Sequence, residues 1–285
     1  MRNHLSEDRG VALELGPVVL RVRDLERMRS FYGGPVGLEE LEAGPARTLF
    51  GSGGQPVVEL REAPGAPPRP PGTSGLFHLA VLEPSREALA ATLRRLVEAG
   101  VPLEGASDHL VSEALYLRDP EGNGIEIYRD RPEDEWSWAN GQVAMATLPL
   151  DLAALLAEAG GSGGPDGGLR LGHVHMNVGD LARARAFYEG VLGLEVTSDT
   201  YPGALFVSSG GYHHHFGLNL WQGPGAPPPP EGSLGLAGVS FGVSSQAALD
   251  GIAGRAAAAG YATDRDGGDL VVTDPFGVPL RISAP

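Results

Sequence analysis

Residues 15–39 read LGPVVLRVRDLERMRSFYGGPVGLE, and residues 171–195 read LGHVHMNVGDLARARAFYEGVLGLE. The two stretches align without a gap at a constant offset of 156 residues, so that Asp24 stands opposite Asp180. In each stretch apolar residues first alternate and then recur at helical spacing after the aspartate, which predicts a strand followed by a capped helix. The chain therefore contains an internal repeat that opens with a strand and a helix.

Two further matches show how far the repeat extends. Residues 65–78 (GAPPRPPGTSGLFH) match residues 225–238 (GAPPPPEGSLGLAG), and residues 119–127 (DPEGNGIEI) match residues 274–282 (DPFGVPLRI). Each half of the chain thus holds two modules, and the Pro-rich stretches are predicted to be loops that join them. The predicted organisation is a flexible N-terminus (1–12), a first half (13–131, with modules 13–63 and 73–131), a linker with a short helix (132–169) and a second half (170–285, with modules 170–223 and 232–285).

The composition excludes several classes of function. The chain of 285 residues has no cysteine and a formal net charge of −15, and all 21 of its basic residues are arginine. Disulfide, thiolate and lysine Schiff-base chemistry are therefore excluded. Nucleic acid and anionic membranes are not expected partners, because both bind basic surfaces. The first ten residues lack an apolar signal region, and no apolar run is long enough to span a bilayer, so we expect a soluble, cytoplasmic protein.

The histidines are few and clustered. Of the eight in the chain, seven fall in four strand-like segments. They are His78 in GLFHLAV, His109 in ASDHLV, His173 and His175 in LGHVHMNV, and His213, His214 and His215 in GYHHHFG. Imidazole is the commonest metal ligand and the usual acid or base near neutral pH, so the clustering indicates a metal or acid–base site. A single histidine in a strand is more often a hydrogen-bonded core or surface residue, and only agreement among several favours a site.

The repeated pattern V-x-D-L…FY…V-L-G-L resembles the vicinal oxygen chelate superfamily, which includes glyoxalase I, bleomycin-resistance proteins and type I extradiol dioxygenases. This resemblance covers nearly the whole chain and is strongest to two-domain catechol 2,3-dioxygenases. It implies an α+β fold of four βαβββ modules in tandem, paired into half-barrel-like sheets.

In that superfamily a module offers metal ligands at two positions. One lies in its first strand, seven residues before the helix cap, and the other lies four residues past the glycine of Asp-Pro-x-Gly. Here such positions hold His78 and Glu126 in module two and His173 in module three, whereas Pro17 in module one and Gly238 and Arg281 in module four cannot serve as ligands. The resemblance thus implies a site for Fe(II), held by two histidines and one carboxylate; Mn(II) accepts the same ligands. Because the three ligands come from modules two and three, those modules are expected to pair.

The segment from His109 to Glu126 resembles the extradiol dioxygenase signature. One departure lies two residues before it, at Ser107, where serine is unusual. The resemblance implies that His215 is the acid–base catalyst, that Tyr116 binds a substrate oxygen and that His109 lines the pocket. A catechol-type substrate and O₂ are then the expected partners, and a muconic semialdehyde is the expected product. The oligomeric state stays open, with a homo-oligomer formed through exposed strand edges as one outcome.

Three alternatives stay open on the same fold. A glyoxalase-like metal-dependent isomerase or lyase usually needs a second glutamate in the last strand of the partner module, and HHHFGLNLWQG contains no carboxylate. A non-catalytic binding protein of the bleomycin-resistance kind has no need of three metal ligands together. A hydrolytic or decarboxylating relative is the third alternative.

Overall fold

The computed structural model describes residues 13–160 and 168–285. The predicted flexible N-terminus (1–12) lies outside these residues, as does most of the predicted glycine-rich linker (160–168). The fold is α+β and rich in strands, as predicted, and four units of the form βαβββ follow one another along the chain. Among the described residues, no helix is long and apolar enough to cross a membrane.

The four modules share one order of elements. Module one contains β1 (Leu13–Val22), α1 (Leu25–Gly33), β2 (Glu39–Ala43), β3 (Arg47–Ser52) and β4 (Gln55–Glu62). Module two contains β5 (Gly75–Glu83), α2 (Arg86–Glu98), β6 (Leu103–Asp108), β7 (Ser112–Arg118) and β8 (Gly124–Asp130). The connection contains β9 (Trp138–Ala139), β10 (Gln142–Val143), β11 (Leu148–Pro149) and α3 (Leu152–Ala157). Module three contains β12 (Arg170–Asn177), α4 (Leu181–Tyr188), β13 (Glu195–Ser198), β14 (Ala204–Ser208) and β15 (Phe216–Asn219). Module four contains β16 (Gly235–Val243), α5 (Gln246–Ala258), β17 (Thr263–Asp266), β18 (Asp269–Thr273) and β19 (Pro279–Ser283).

The two aspartates of the repeat cap their helices. The Asp24 side chain accepts a hydrogen bond from the backbone N–H of Arg27 at 3.0 Å. Asp180 does the same for the backbone N–H of Arg183, also at 3.0 Å. Each bond satisfies a backbone donor that the first turn of a helix leaves without a partner. The positions seven residues before these caps therefore lie within the first strands, as the repeat predicts.

The strands form two large sheets, and each sheet combines modules from different halves of the chain. The nine-stranded sheet joins modules two and three in the order β11-β6-β7-β8-β5-β12-β15-β14-β13. The eight-stranded sheet joins modules four and one in the order β17-β18-β19-β16-β1-β4-β3-β2. The first strands of modules two and three, β5 and β12, are antiparallel neighbours. The structure thus contains the module pairing that the ligand positions predict.

A repeated Tyr–Asp contact links the modules within each half. The Tyr32 hydroxyl in α1 donates to Asp119, at the turn before β8, with an oxygen–oxygen distance of 3.2 Å. In the second half, Tyr188 in α4 donates to Asp274 at 3.0 Å. All four residues are buried, and each aspartate also accepts backbone hydrogen bonds within its own Asp-Pro turn. The tyrosine of the repeated FY motif and the aspartate of the repeated DP motif therefore form one contact. In each half of the chain, this contact holds the helix of the first module against a turn of the second.

Candidate metal centre

Three side chains meet on adjacent strands of the nine-stranded sheet. His78 lies on β5, Glu126 on β8 and His173 on β12, and one ligand atom from each lies within 4.8 Å of the other two. The Nε2 atoms of His78 and His173 lie 2.9 and 3.1 Å from Oε2 of Glu126. All three residues are at most 4% exposed.

The strand register explains why these side chains converge. Ala80 on β5 is paired with Glu126 on one side and with His173 on the other. His78 lies two residues before Ala80, and residues two apart in a strand point to the same face of the sheet. The small side chain of Ala80 leaves the space between them free. The sheet therefore aims two imidazoles and one carboxylate at a common point.

The donor set fits a divalent metal ion. The buried Nε2 of His78 has no hydrogen-bond partner, although it lies 2.9 Å from the Glu126 carboxylate. A buried polar atom without a partner is costly, and coordination of a metal would supply one. Burial lowers the pKa of His173 to about 4, which leaves its imidazole neutral at pH 7. Burial opposes ionisation of Glu126, but His173 and His78 outweigh it and hold the pKa of that carboxyl well below its usual range. Two neutral imidazoles and a carboxylate are the ligands of non-haem Fe(II) sites.

The three side chains line a cavity of about 260 Å³. Its walls include Phe77, Phe206, Trp221 and Met145, so most of the surface facing a ligand is apolar. Among the described residues that line it, none is an arginine.

His109 and Tyr116 line the same cavity, and their side chains are hydrogen-bonded to each other. Nδ1 of His109 lies 2.6 Å from the carbonyl oxygen of Ala146, which can only accept, so Nδ1 carries a proton. In neutral His109, Nε2 is then an acceptor, and the Tyr116 hydroxyl donates to it at 2.6 Å. Burial and the nearby Glu126 raise the pKa of Tyr116 well above its usual value, so the phenol stays protonated. The oxygen of Tyr116 keeps lone pairs for a ligand in the cavity.

The three consecutive histidines point to different places. His214 lines the cavity, and its ring centroid lies 4.2 Å from that of His173. His215, expected from the resemblance to be the acid–base catalyst, lines a separate groove beside Arg170, and its Nδ1 lies 2.7 Å from the Ser208 hydroxyl. The structure therefore does not bring His215 to the candidate metal ligands. It brings His214 there instead, where the ring lines the cavity beside His173.

His175 is a further cavity residue whose position depends on a glycine. It is paired with His78 across β5 and β12, and burial lowers its pKa well below the usual value. A Cβ atom on Gly217 would lie 2.8 Å from the His175 ring, which is closer than real Cβ contacts come. The glycine in the motif GLNL therefore makes room for this imidazole. Its Nε2 is buried without a hydrogen-bond partner.

The sequence profile of the Glyoxalase/Bleomycin resistance protein/Dioxygenase superfamily matches residues 14–127 and 170–282. The chain belongs to this superfamily. Both matches together cover the four modules, as expected for a glyoxalase/dioxygenase superfamily member with two copies of the paired unit.

Individual relatives within the superfamily include dioxygenases. The chain is 41% identical over 269 residues to a catechol-2,3-dioxygenase of Bacillus subtilis (strain 168), covering 92% of this chain and 93% of that protein. It is 29% identical over 138 residues to biphenyl-2,3-diol 1,2-dioxygenase 3 of Rhodococcus globerulus, covering 46% of this chain and 73% of that protein.

Solved structures share the fold at low sequence identity. A putative dioxygenase from Bacillus subtilis superposes with a TM-score of 0.69 at 16% identity, over 97% of this chain and 86% of that one. Glyoxalase I from Zea mays superposes with a TM-score of 0.60 at 18% identity, over 95% of this chain and 92% of that one. Because both enzyme classes share the fold, these likenesses establish the fold alone.

Proposed function

We propose that this protein is an extradiol dioxygenase, which cleaves the ring of a catechol with O₂ and yields a muconic semialdehyde-type product. The observation that carries the proposal is the meeting of His78, Glu126 and His173 inside an apolar cavity that also holds His109, Tyr116 and His214. The 41% identity to a catechol-2,3-dioxygenase over nearly the full length supports the same chemistry.

His78, Glu126 and His173 would hold Fe(II). The bound metal would supply a centre at which the two catechol oxygens and O₂ meet and exchange electrons. The neutral charge state of His173 and the ionised state of Glu126 keep the site ready for a divalent cation. Mn(II) is the second metal that suits this ligand set.

The surrounding side chains handle the protons and orient the substrate. Tyr116, held by His109, would hydrogen-bond the substrate oxygen nearest to it through its phenolic oxygen. His214 would take a proton at Nε2 from the substrate and return it later, because burial lowers its pKa and keeps it neutral before reaction. The apolar walls exclude bulk water from these groups.

The lining of the cavity predicts the charge of the substrate. Glu126 is ionised, and among the described lining residues no arginine is present to pair with a second anion. A carboxylate on the catechol ring would enter the cavity as a buried, unpaired charge, which is costly. We therefore propose catechols with uncharged substituents as the substrate class.

The ligand count favours a dioxygenase over a glyoxalase-like enzyme. Among the described residues, the cluster holds one carboxylate, Glu126, and no second glutamate joins it. The last strand of module three, β15, places Phe216 to Asn219 opposite β12 and so offers no acid there. A metal ion held by only these three protein ligands could also bind substrate oxygens and O₂.

The test is anaerobic reconstitution of the purified chain with Fe(II), followed by O₂ and a panel of catechols. We expect O₂ uptake and a yellow ring-fission product from catechol and alkylcatechols, and little from dihydroxybenzoates. The His173→Ala variant is the matched control and should neither retain iron nor turn over. An iron-loaded protein that cleaves no catechol would refute the proposal. Parallel loading with Mn(II) decides between the two metals.

A further inference from the structure

Behind His214, on the side away from the cavity, a series of hydrogen bonds runs through His213 to Asp130. Its Nδ1 lies 2.7 Å from Nδ1 of His213. Nε2 of His213 lies 2.8 Å from Oδ1 of Asp130, which is the last residue of β8. His213 is completely buried, and it is not among the described residues that line the cavity with His214.

The direction of each hydrogen bond follows from the carboxylate of Asp130, the last group in the series. A carboxylate can only accept, so Nε2 of His213 must donate to Asp130. In neutral His213 the other ring nitrogen, Nδ1, is then an acceptor. When His213 is neutral, the facing Nδ1 of His214 therefore carries a proton and donates a hydrogen bond to His213. In neutral His214 this leaves Nε2 without a proton, so its lone pair is available to the cavity.

Asp130 and His213 each make a further contact. The second carboxylate oxygen of Asp130 accepts a hydrogen bond from the Tyr212 hydroxyl at 3.0 Å. The Tyr212 hydroxyl is in turn hydrogen-bonded to the Tyr128 hydroxyl at 2.7 Å. The Trp136 ring packs edge-on against His213, with 5.1 Å between ring centroids. If Asp130 turned away from His213, it would also lose the hydrogen bond from Tyr212.

We propose that His213 and Asp130 are positioning residues that fix the tautomer and orientation of His214, so that its Nε2 lone pair faces the metal ligands. This inference rests on the proposed function, because a base at that position is needed only if a substrate proton moves there. His213 and Asp130 touch no substrate; they act through the ring of His214. In a Ser-His-Asp triad a carboxylate orients the catalytic imidazole directly. Here His213 lies between the Asp130 carboxylate and His214.

The experiment compares His213→Gln with His213→Leu in the full-length chain. A glutamine amide carries one donor and one acceptor, so it can donate to Asp130 and accept from His214, whereas leucine can do neither. We expect His213→Leu to lower kcat about 10- to 100-fold, with KM and iron content unchanged, and His213→Gln to keep most of kcat. Ser208→Ala is the matched control, because it removes the hydrogen bond to His215 in the same loop and should leave kcat unchanged.

A second readout does not depend on turnover. Nitrogen-15 NMR of histidine-labelled, metal-free protein reports which ring nitrogen of His214 carries the proton. We expect the proton on Nδ1 in the wild type and in His213→Gln, and loss of this preference in His213→Leu and Asp130→Ala. A proton on Nε2 in the wild type, or equal losses of kcat in the two His213 variants, would overturn the inference. If no catechol is cleaved at all, the proposed function fails, and the NMR result still decides the tautomer.

Discussion

Replacing His214 and His215 separately, each by alanine, distinguishes two adjacent residues that the structure assigns to different places. His214 lines the cavity beside His173, whereas His215 faces a separate groove and bonds to Ser208. Removal of a general acid–base group lowers turnover about 10²- to 10⁴-fold, which corresponds to roughly 3–5 kcal/mol of barrier. We expect that loss for His214→Ala, at unchanged iron content.

The effect of His215→Ala should fall on stability instead. The change removes the hydrogen bonds that Nδ1 of His215 makes with the Ser208 hydroxyl and the Ser209 N–H. It leaves the buried Ser208 hydroxyl without that partner, which costs about 1–3 kcal/mol. In a chain of this size each kcal/mol lowers Tm by about 2–4 °C. We therefore expect a fall of a few degrees in Tm and a kcat close to that of the wild type.

The assay is steady-state O₂ uptake with a saturating catechol, together with iron per chain and thermal unfolding of each variant. The reasoning is refuted if His215→Ala loses turnover at full iron content while His214→Ala keeps it. That result would mean that the loop between β14 and β15 turns its other side towards the metal ligands.

Three further outcomes are expected. Fe(II) at about 100 times its Kd should stabilise the wild type by about 2.7 kcal/mol in anaerobic unfolding, and His173→Ala should abolish this gain. In the metal-free protein the folded pKa of His173, about 4, lies below the ordinary 6.5. The unfolded chain therefore binds the proton first, and stability is lost as pH falls from 6.5 to 4, by at most about 3 kcal/mol from this residue. The urea midpoint of His173→Gln should consequently fall less than that of the wild type between pH 7 and pH 5. Gly217→Ala should cost about 1–3 kcal/mol in urea unfolding by crowding the His175 ring, whereas Gly254→Ala in α5, with open space around its Cβ, should not destabilise.

The repeat predicts much of the secondary structure because each of its sequence patterns is local. Alternation of apolar residues, an aspartate cap and a helical spacing each depend on a few neighbouring residues, and both copies show them. The opening strand and capped helix of each copy were predictable for this reason. The full βαβββ modules and the proposed ligand positions were predicted from the family resemblance, which supplied the spacing from cap to ligand.

The loop between β14 and β15 shows where this reasoning stops. Resemblance selected His215, but the loop has no strand period along which the facing side could be counted, and the structure turns His214 to the cavity. Trp221 and Met145 also line the cavity, although each lies outside the long strands. No local pattern marks them, because their positions depend on how two loops fold over the sheet.

The sequence alone determined the internal repeat and the strand and capped helix that open its copies, because these follow from short-range periodicity. The family resemblance added the βαβββ modules, the proposed ligands His78, Glu126 and His173, and the expectation that modules two and three meet. The tertiary structure decided which histidine faces the ligands and which residue stands behind it. The contact between His213 and Asp130 joins residues 83 positions apart, and only the pairing of β5 with β12 brings the two modules that carry them into one sheet.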